Sequence, residues 1–140
     1  MTRIIVAGSR GFNDYQILRK TLDSIIENIN DEIEIVSGTA RGADKLGELY
    51  AYDNNLLLKR FPADWNLYGK RAGYLRNKQM AEYAAEETGM AVVFWNGESR
   101  GSKHMIDLAE KCGLIVKIIY VKERAEKYYD FSGKENRGGY

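Results

Sequence analysis

The chain has one cysteine, one histidine and one proline among 140 residues. A lone Cys112 cannot close an internal disulfide, and with His104 as the single imidazole no Cys/His cluster of zinc spacing exists, so neither a metal nor a bound cofactor is expected. Long apolar runs are missing too. None approaches the ~20 residues that span a bilayer, which excludes a membrane partner. The first residues enter an apolar strand-like stretch instead of a basic segment followed by a long apolar one, so a soluble, unprocessed, cytoplasmic protein is expected. Charge of one sign is also lacking: 21 Lys+Arg against 20 Asp+Glu leave a net charge of +1. That balance provides no global field for nucleic acid or anionic lipid.

What is present is globular. The chain is 44% hydrophobic and 29% charged, enough apolar content for a core, at the length of one domain. Charge is uneven along it. Residues 13–34 hold six acidic side chains against Arg19 and Lys20, whereas 59–78 hold six basic ones against Asp64 alone. Apolar runs at 3–7, 33–37, 56–61, 90–95 and 114–121 read as strands, several nearly continuous in apolar character as in parallel strands covered on both faces. Between them lie helical periods. After Asn13, whose spacing to Gln16 suits a capping box, Leu18, Leu22, Ile25, Ile26 and Ile29 share one face. The stretches 43–54, 72–86 and 102–112 follow the same pattern, with Cys112 on the apolar face of the last. Strand and helix alternate four times before a fifth strand, which predicts a Rossmann-like, doubly wound α/β sheet of about five parallel strands in three α/β/α layers. The domain spans 1–121. Pro62 opens the least regular connection, 63–71, and the tail 122–140 reads as frayed or as an oligomer-docking arm.

In such a sheet ligands bind beyond the carboxyl ends of the strands, where helix N-termini point free N–H groups. The first strand is followed by Gly8-Ser9-Arg10-Gly11-Phe12, the second by Ser37-Gly38-Thr39-Ala40-Arg41-Gly42-Ala43-Asp44, and the fourth by Asn96-Gly97-Glu98-Ser99-Arg100-Gly101-Ser102, with Lys103 next. With 14 glycines and ten arginines, about one Arg-Gly pair is expected by chance; the sequence has four, three of them in these loops. Glycine lets backbone approach a ligand, hydroxyls donate to oxyanions, and arginine offers a planar fork matched to phosphate. The loops therefore ask for a phosphorylated ligand, with Arg41 and Arg100 expected to share one anionic site. Neither the G-x-G-x-x-G spacing nor a Walker A loop is present, which excludes ordinary dinucleotide oxidoreductases and P-loop nucleotidases.

Individual side chains leave alternatives open. Phe12 and Trp95, beside strand ends, suit core packing before stacking, whereas Trp65 and Tyr68 on the basic loop suit stacking on a base. Asp44 either caps its helix, binds a ribose hydroxyl or fixes Arg41. Asp64 is the better acid candidate, and His104 either touches ligand as acid or base or is a solvated capping residue. Tyr74, Leu75, Met80 and Tyr83 supply more large side chains than one side of a small sheet covers, which predicts a homodimer or higher homo-oligomer.

These loops, together with Phe61-Pro62-Ala63-Asp64-Trp65, Tyr68-Gly69-Lys70 and Ala72-Gly73-Tyr74-Leu75-Arg76-Asn77, resemble the YspA-type family of the SLOG superfamily over roughly residues 1 to 120. The resemblance implies a Rossmann-like fold and kinship with the LOG phosphoribohydrolases, with the DNA-processing protein DprA and with sensors of nucleotide or NAD-derived signals; members are frequent in phages. Ser37-Gly38 and Arg41-Gly42-Ala43-Asp44 resemble the loop shared with DprA. Arg76-Asn77 with Met80 resembles the R-x-x-x-M helix in which LOG enzymes carry a catalytic arginine, which makes Arg76, beside Asp64 and His104, a catalytic candidate and Asn77 a ligand contact. Gly101-Ser102 resembles the G-T step of the LOG loop whose final glutamate falls here on Met105, a departure that argues against LOG-type hydrolysis. The expectation is a protein that binds a nucleotide or nucleotide-derived ligand, of NAD, ADP-ribose or cyclic type, as a sensor or sequestering protein. A nucleotide hydrolase or N-glycosidase is the first rival. A DprA-like nucleic-acid module using 59–78 is the second, disfavoured by the near-zero net charge.

Overall fold

Alternating strand and helix signals resolve into β1 (Thr2–Gly8), β2 (Ile33–Ser37), β3 (Leu57–Arg60), β4 (Thr88–Trp95) and β5 (Ile115–Tyr120), with helices α1 (Tyr15–Ile26), α2 (Ala43–Asp53), α3 (Trp65–Tyr68), α4 (Ala72–Ala85) and α5 (Arg100–Lys111) between them. This computed structural model describes residues 1–122, and the reading of the tail lies outside the described residues. The five strands form one parallel sheet in the order β3-β2-β1-β4-β5. Alternate residues of β1 divide the core: Ile4 and Val6 pack with Leu18 and Leu22 of α1 and Tyr50 of α2, while Ile5 and Ala7 pack with Met80 and Ala84 of α4 and Met105 and Ala109 of α5. Burial on both faces explains the near-continuous apolar runs of β1, β2 and β4. All four residues of the edge strand β3 are exposed.

The order turns at β1. The chain winds outward through β2 and β3, then returns to build β4 and β5 on the other side, so the connections leaving β1 and β4 diverge to opposite faces. Such a switch point opens a crevice at the carboxyl ends of the two strands.

Three local expectations are corrected. The α1 cap is Asp14 and not Asn13, because the Asp14 carboxylate accepts from the Ile17 N–H at 3.2 Å. The 63–71 connection contains α3 and a 3-10 turn at Gly69–Arg71, too short for any period to show. Helix α5 begins at Arg100, two residues earlier than expected, because Ser99 caps it by accepting from the Ser102 N–H.

Candidate functional site

The crevice is a cleft of about 640 Å³, within the range of small-molecule sites. The loop after β1 forms one wall. Ser9 is buried there, its N–H donating to the Phe94 carbonyl at 2.9 Å and its hydroxyl accepting from the Asn96 N–H at 3.0 Å, so the loops after β1 and β4 are tied together. Gly42 makes the opposite junction possible. Its φ is +84°, and a Cβ there would stand 2.4 Å from the Ser9 carbonyl, so only glycine lets the start of α2 lie against this loop. Met80 and Met105, both nearly fully buried, contribute an apolar floor.

The charged groups come from four segments. Arg10 from the β1 loop and Arg41 from the β2 loop are exposed at the rim, and neither forms an ion pair among the described residues. Arg76 reaches in from α4, half-buried, with Nη1 donating to the Gly38 carbonyl and Nε donating to Asn77 Oδ1 at 3.0 Å. The carboxylate among them is Asp44, buried in the first turn of α2, where its Oδ2 accepts from the Ala40 N–H at 3.2 Å. Burial pushes the Asp44 carboxyl up to about 6, against the Ala40 N–H and the Arg76 and Arg10 cations, with the Glu48 carboxylate adding to the rise. Burial acts on Arg76 in the opposite sense, lowering its pKa against the support of Asp44.

Two adjoining cavities extend the cleft, of about 330 Å³ and about 180 Å³, and both share Arg10, Arg76 and Trp65. The larger is bounded by Gly38, Thr39, Pro62 and Ala63. The smaller is bounded by Lys70, Gly73 and Tyr74. Trp65 is 51% exposed and lines both, an aromatic ring that shares each cavity with two guanidinium groups. Thr39 has φ +65°, a conformation that a β-branched residue adopts only at a cost of about 1–3 kcal/mol. Backbone strain of this kind collects at functional sites.

Of the residues expected to bind ligand, Gly8, Ser9, Arg10, Arg41, Asp44, Arg76, Asn77, Ser99, Gly101 and Ser102 line the main cleft, and Gly38, Thr39 and Trp65 the adjoining ones. The others stand elsewhere. Phe12 is buried and stacked on Phe94 at 5.1 Å, a core residue. Ser37 lies beneath the β2 loop, donating to Glu48 at 2.6 Å and accepting from the Thr39 N–H. Gly42 supplies the backbone junction. Gly97, Arg100 and Lys103 line none of these cavities: the early start of α5 puts Arg100 and Lys103 one turn apart on its exposed face, with Lys103 paired to Asp107, and Ser102 and Met105 on its buried face. Of the two arginines expected to face one site, Arg41 lines the cleft, together with Arg10 and Arg76, and Arg100 does not.

Among the catalytic candidates Arg76 is in the cleft. Asp64 is instead the exposed cap of α3, accepting from the Leu67 N–H at 3.0 Å. His104 lies behind Asn77, its Nδ1 3.2 Å from Asn77 Nδ2, with its ring in T-shaped contact with Tyr74. Asn13, Ala40, Met80 and Met105 were not singled out as lining; the two methionines carried a signal, since both fall at helical spacing on the core faces of α4 and α5. Of the four side chains behind the expected oligomer, Met80 belongs to the core and Tyr83 is half-buried, donating to Glu34 at 2.6 Å and sitting under Arg3, while Tyr74 stays exposed. No His, Cys, Asp and Glu cluster among the described residues is arranged to hold a metal ion, and no helix among them is long and apolar enough to cross a membrane.

Residues 2–68 match YAcAr, the YspA, cpYpsA-related SLOG family. The Gene 61 protein of Mycobacterium phage D29 is 31% identical over 121 residues, covering 83% of this chain and 94% of that protein. The X-ray structure of DNA processing protein A (DprA) from Streptococcus pneumoniae superimposes with a TM-score of 0.64 at 18% identity over 86% of this chain. The match takes in 50% of DprA, so the chain spans about half of that protein's length.

Proposed function

The chain belongs to the YspA, cpYpsA-related SLOG family, and on that premise we propose that it binds a phosphorylated nucleotide or nucleotide derivative in the cleft between the β1, β2 and β4 loops. The observation that carries this reading is the convergence of Arg10, Arg41 and Arg76 on a cleft whose carboxylate, Asp44, is buried and drawn toward its neutral form. Guanidinium groups that form no ion pair, as at Arg10 and Arg41 among the described residues, are matched by phosphate oxygens, each charge-assisted contact being worth about 1.5–3 kcal/mol. The N-termini of α2 and α5 add backbone dipoles of the same sign. Trp65, across Arg10 and Arg76 from the main cleft, suits a planar base or second ring, so a ligand with two lobes joined through phosphate, such as ADP-ribose, NAD or a cyclic dinucleotide, fits the arrangement.

The reading is of binding, as a sensor or sequestering protein, without LOG-type turnover. Cleavage of a base from ribose develops positive charge that a carboxylate stabilises. The cleft presents the Met105 thioether where the resembled loop carries that carboxylate. A second reading, nucleotide hydrolysis by other chemistry, is favoured by Asp44, whose carboxyl near 6 is suited to proton transfer at neutral pH. The nucleic-acid reading loses support because the 59–78 cations are divided: Arg60 pairs with Glu48, and Lys59 lies over Phe61 and Tyr83.

Mass spectrometry of small molecules released when the purified protein is denatured tests the proposal. The expected result is a phosphorylated nucleotide derivative carried through purification, or, from empty protein, thermal stabilisation by a member of the ADP-ribose, NAD and cyclic dinucleotide set. Absence of both contradicts it.

A further inference from the structure

Behind the cleft wall a chain of polar contacts runs from α5 through α4 to the β2 loop. Arg76 Nε donates to Asn77 Oδ1 at 3.0 Å, and Arg76 Nη1 donates to the Gly38 carbonyl. Asn77 Nδ2 faces the Gly101 carbonyl at 3.4 Å and His104 Nδ1 at 3.2 Å. The donor inventory fixes every orientation in this chain. A guanidinium has no acceptor and a carbonyl no donor, so the Asn77 amide must turn its oxygen to Arg76 and its NH2 to Gly101 and His104. One amide hydrogen then goes to the Gly101 carbonyl and the other to His104 Nδ1, which must be unprotonated, with its ring proton on Nε2.

We infer that His104, acting through Asn77, is a positioning residue for the Arg76 guanidinium, and that protonation of its Nδ1 releases Arg76 from its binding orientation. An Nδ1–H would confront the Asn77 NH2 donor to donor. Rotating the amide to satisfy His104 would turn its NH2 onto Arg76 Nε, another donor pair, and away from the Gly101 carbonyl, so no arrangement of Asn77 serves both neighbours once the imidazole is charged.

The surroundings keep the imidazole neutral. Its burial between α4 and α5 lowers its pKa from the ordinary 6.5, opposed by the Asp107 carboxylate on its own helix, which is itself paired with Lys103. From α4 it meets the Tyr74 ring in a T-shaped contact, centroids 4.6 Å apart, and Arg76 through Asn77. At the far end Arg76 faces Asp44 of α2 and Arg10 of the β1 loop. The relay deepens the proposed function and rests on it only where ligand is concerned.

His104 is the single histidine, so its imidazole nitrogens are assigned without ambiguity by long-range 1H–15N NMR of the full chain. The expected result is the Nε2–H tautomer at neutral pH, a titration midpoint below the ordinary one, and shifts of the Asn77 side-chain NH2 and Arg76 Nε–H signals that follow that midpoint. His104→Gln, whose side-chain oxygen accepts without titrating, should abolish those shifts. An Nδ1–H tautomer, or an Arg76 Nε–H signal indifferent to the His104 titration, overturns the inference. The second readout is calorimetric affinity for ADP-ribose, a pyrophosphate diester without the second phosphate ionisation at pH ~6 that a monoester carries. Affinity should weaken about tenfold through the His104 midpoint, as loss of one charge-assisted contact predicts, and His104→Gln should lose that step. A step retained in full by His104→Gln assigns the effect to a group other than His104 and overturns the relay. No ADP-ribose binding at any pH counts against the proposed ligand class, and the NMR result then decides the relay alone.

Discussion

Asp44 and Arg76 meet across Gly38: a Cβ built on that glycine would stand 2.8 Å from Asp44 Oδ2 and 2.9 Å from Arg76 Nη1. The glycine is the gap through which a carboxylate from α2 and a guanidinium from α4 approach the same stretch of backbone. A methyl group there must displace both. Gly38→Ala should therefore destabilise the fold by about 1–3 kcal/mol, the usual cost of overpacking, and weaken nucleotide binding by moving Arg76. Denaturant melts and ligand titration of the variant check both effects; an unchanged midpoint and affinity would contradict the packing described.

Asp44 makes stability pH-dependent in a definite direction. Burial raises its carboxyl from the ordinary 3.8 to about 6, so between those values the folded chain holds a proton that the unfolded chain releases. Its contribution therefore grows less favourable as pH rises through that window, and the cost of about 3 kcal/mol is complete above it. Asp44→Asn, which keeps an oxygen for the Ala40 N–H, should be more stable than wild type by roughly that amount at neutral pH and equal to it below the window. Urea unfolding on either side of the window measures the difference. A variant less stable at neutral pH would show that pairing with Arg76 outweighs burial.

Thr39 holds a left-handed conformation, with its N–H donating to Ser37 Oγ at 3.0 Å. Relief of about 1–3 kcal/mol of strain, less about 0.5–1 for the entropy glycine loses on folding, leaves Thr39→Gly more stable by about 1 kcal/mol. Its affinity for nucleotide should fall, because the strain holds the loop that bears Arg41. Thermal denaturation and titration together test the trade, and lower stability would show that the site is unstrained.

The layered parallel sheet and the three loops at its carboxyl edge were legible because period and turn chemistry are local. Leu18 and Leu22 declare one face of α1, and the Arg-Gly pairs mark three strand ends. What escaped depends on where an element begins in space. Arg100 looks equivalent to Arg41 in sequence, yet Ser99 starts α5 early and Arg100 falls on the solvent face, whereas Arg41 precedes the Gly42 cap of α2 and stays at the rim. Asp64 stood out as the lone acid in a basic stretch, and its isolation reflects the cap of a four-residue helix too short to show a period. The partnership of Arg76, Asn77 and His104 joins three side chains from two helices and has no counterpart in spacing along the chain.

The arginines divide accordingly. Arg10→Ala and Arg76→Ala should each weaken nucleotide binding by roughly 10- to 150-fold, the worth of a charge-assisted contact, whereas Arg100→Ala should change it by less than about twofold. Calorimetric titration of the three variants decides between this assignment and one centred on Arg100, for which the order of effects would reverse.

The most direct measurement is calorimetry of the wild-type protein with matched ligands that differ only in phosphate: AMP against adenosine, and ribose 5-phosphate against ribose. A phosphate-binding cleft predicts saturable one-to-one binding in which the phosphorylated member of each pair is tighter by at least about tenfold, with the advantage lost in Arg76→Ala. Equal affinity for the phosphorylated and phosphate-free members, or no binding of either beside tight, steeply salt-dependent binding of DNA, would contradict it.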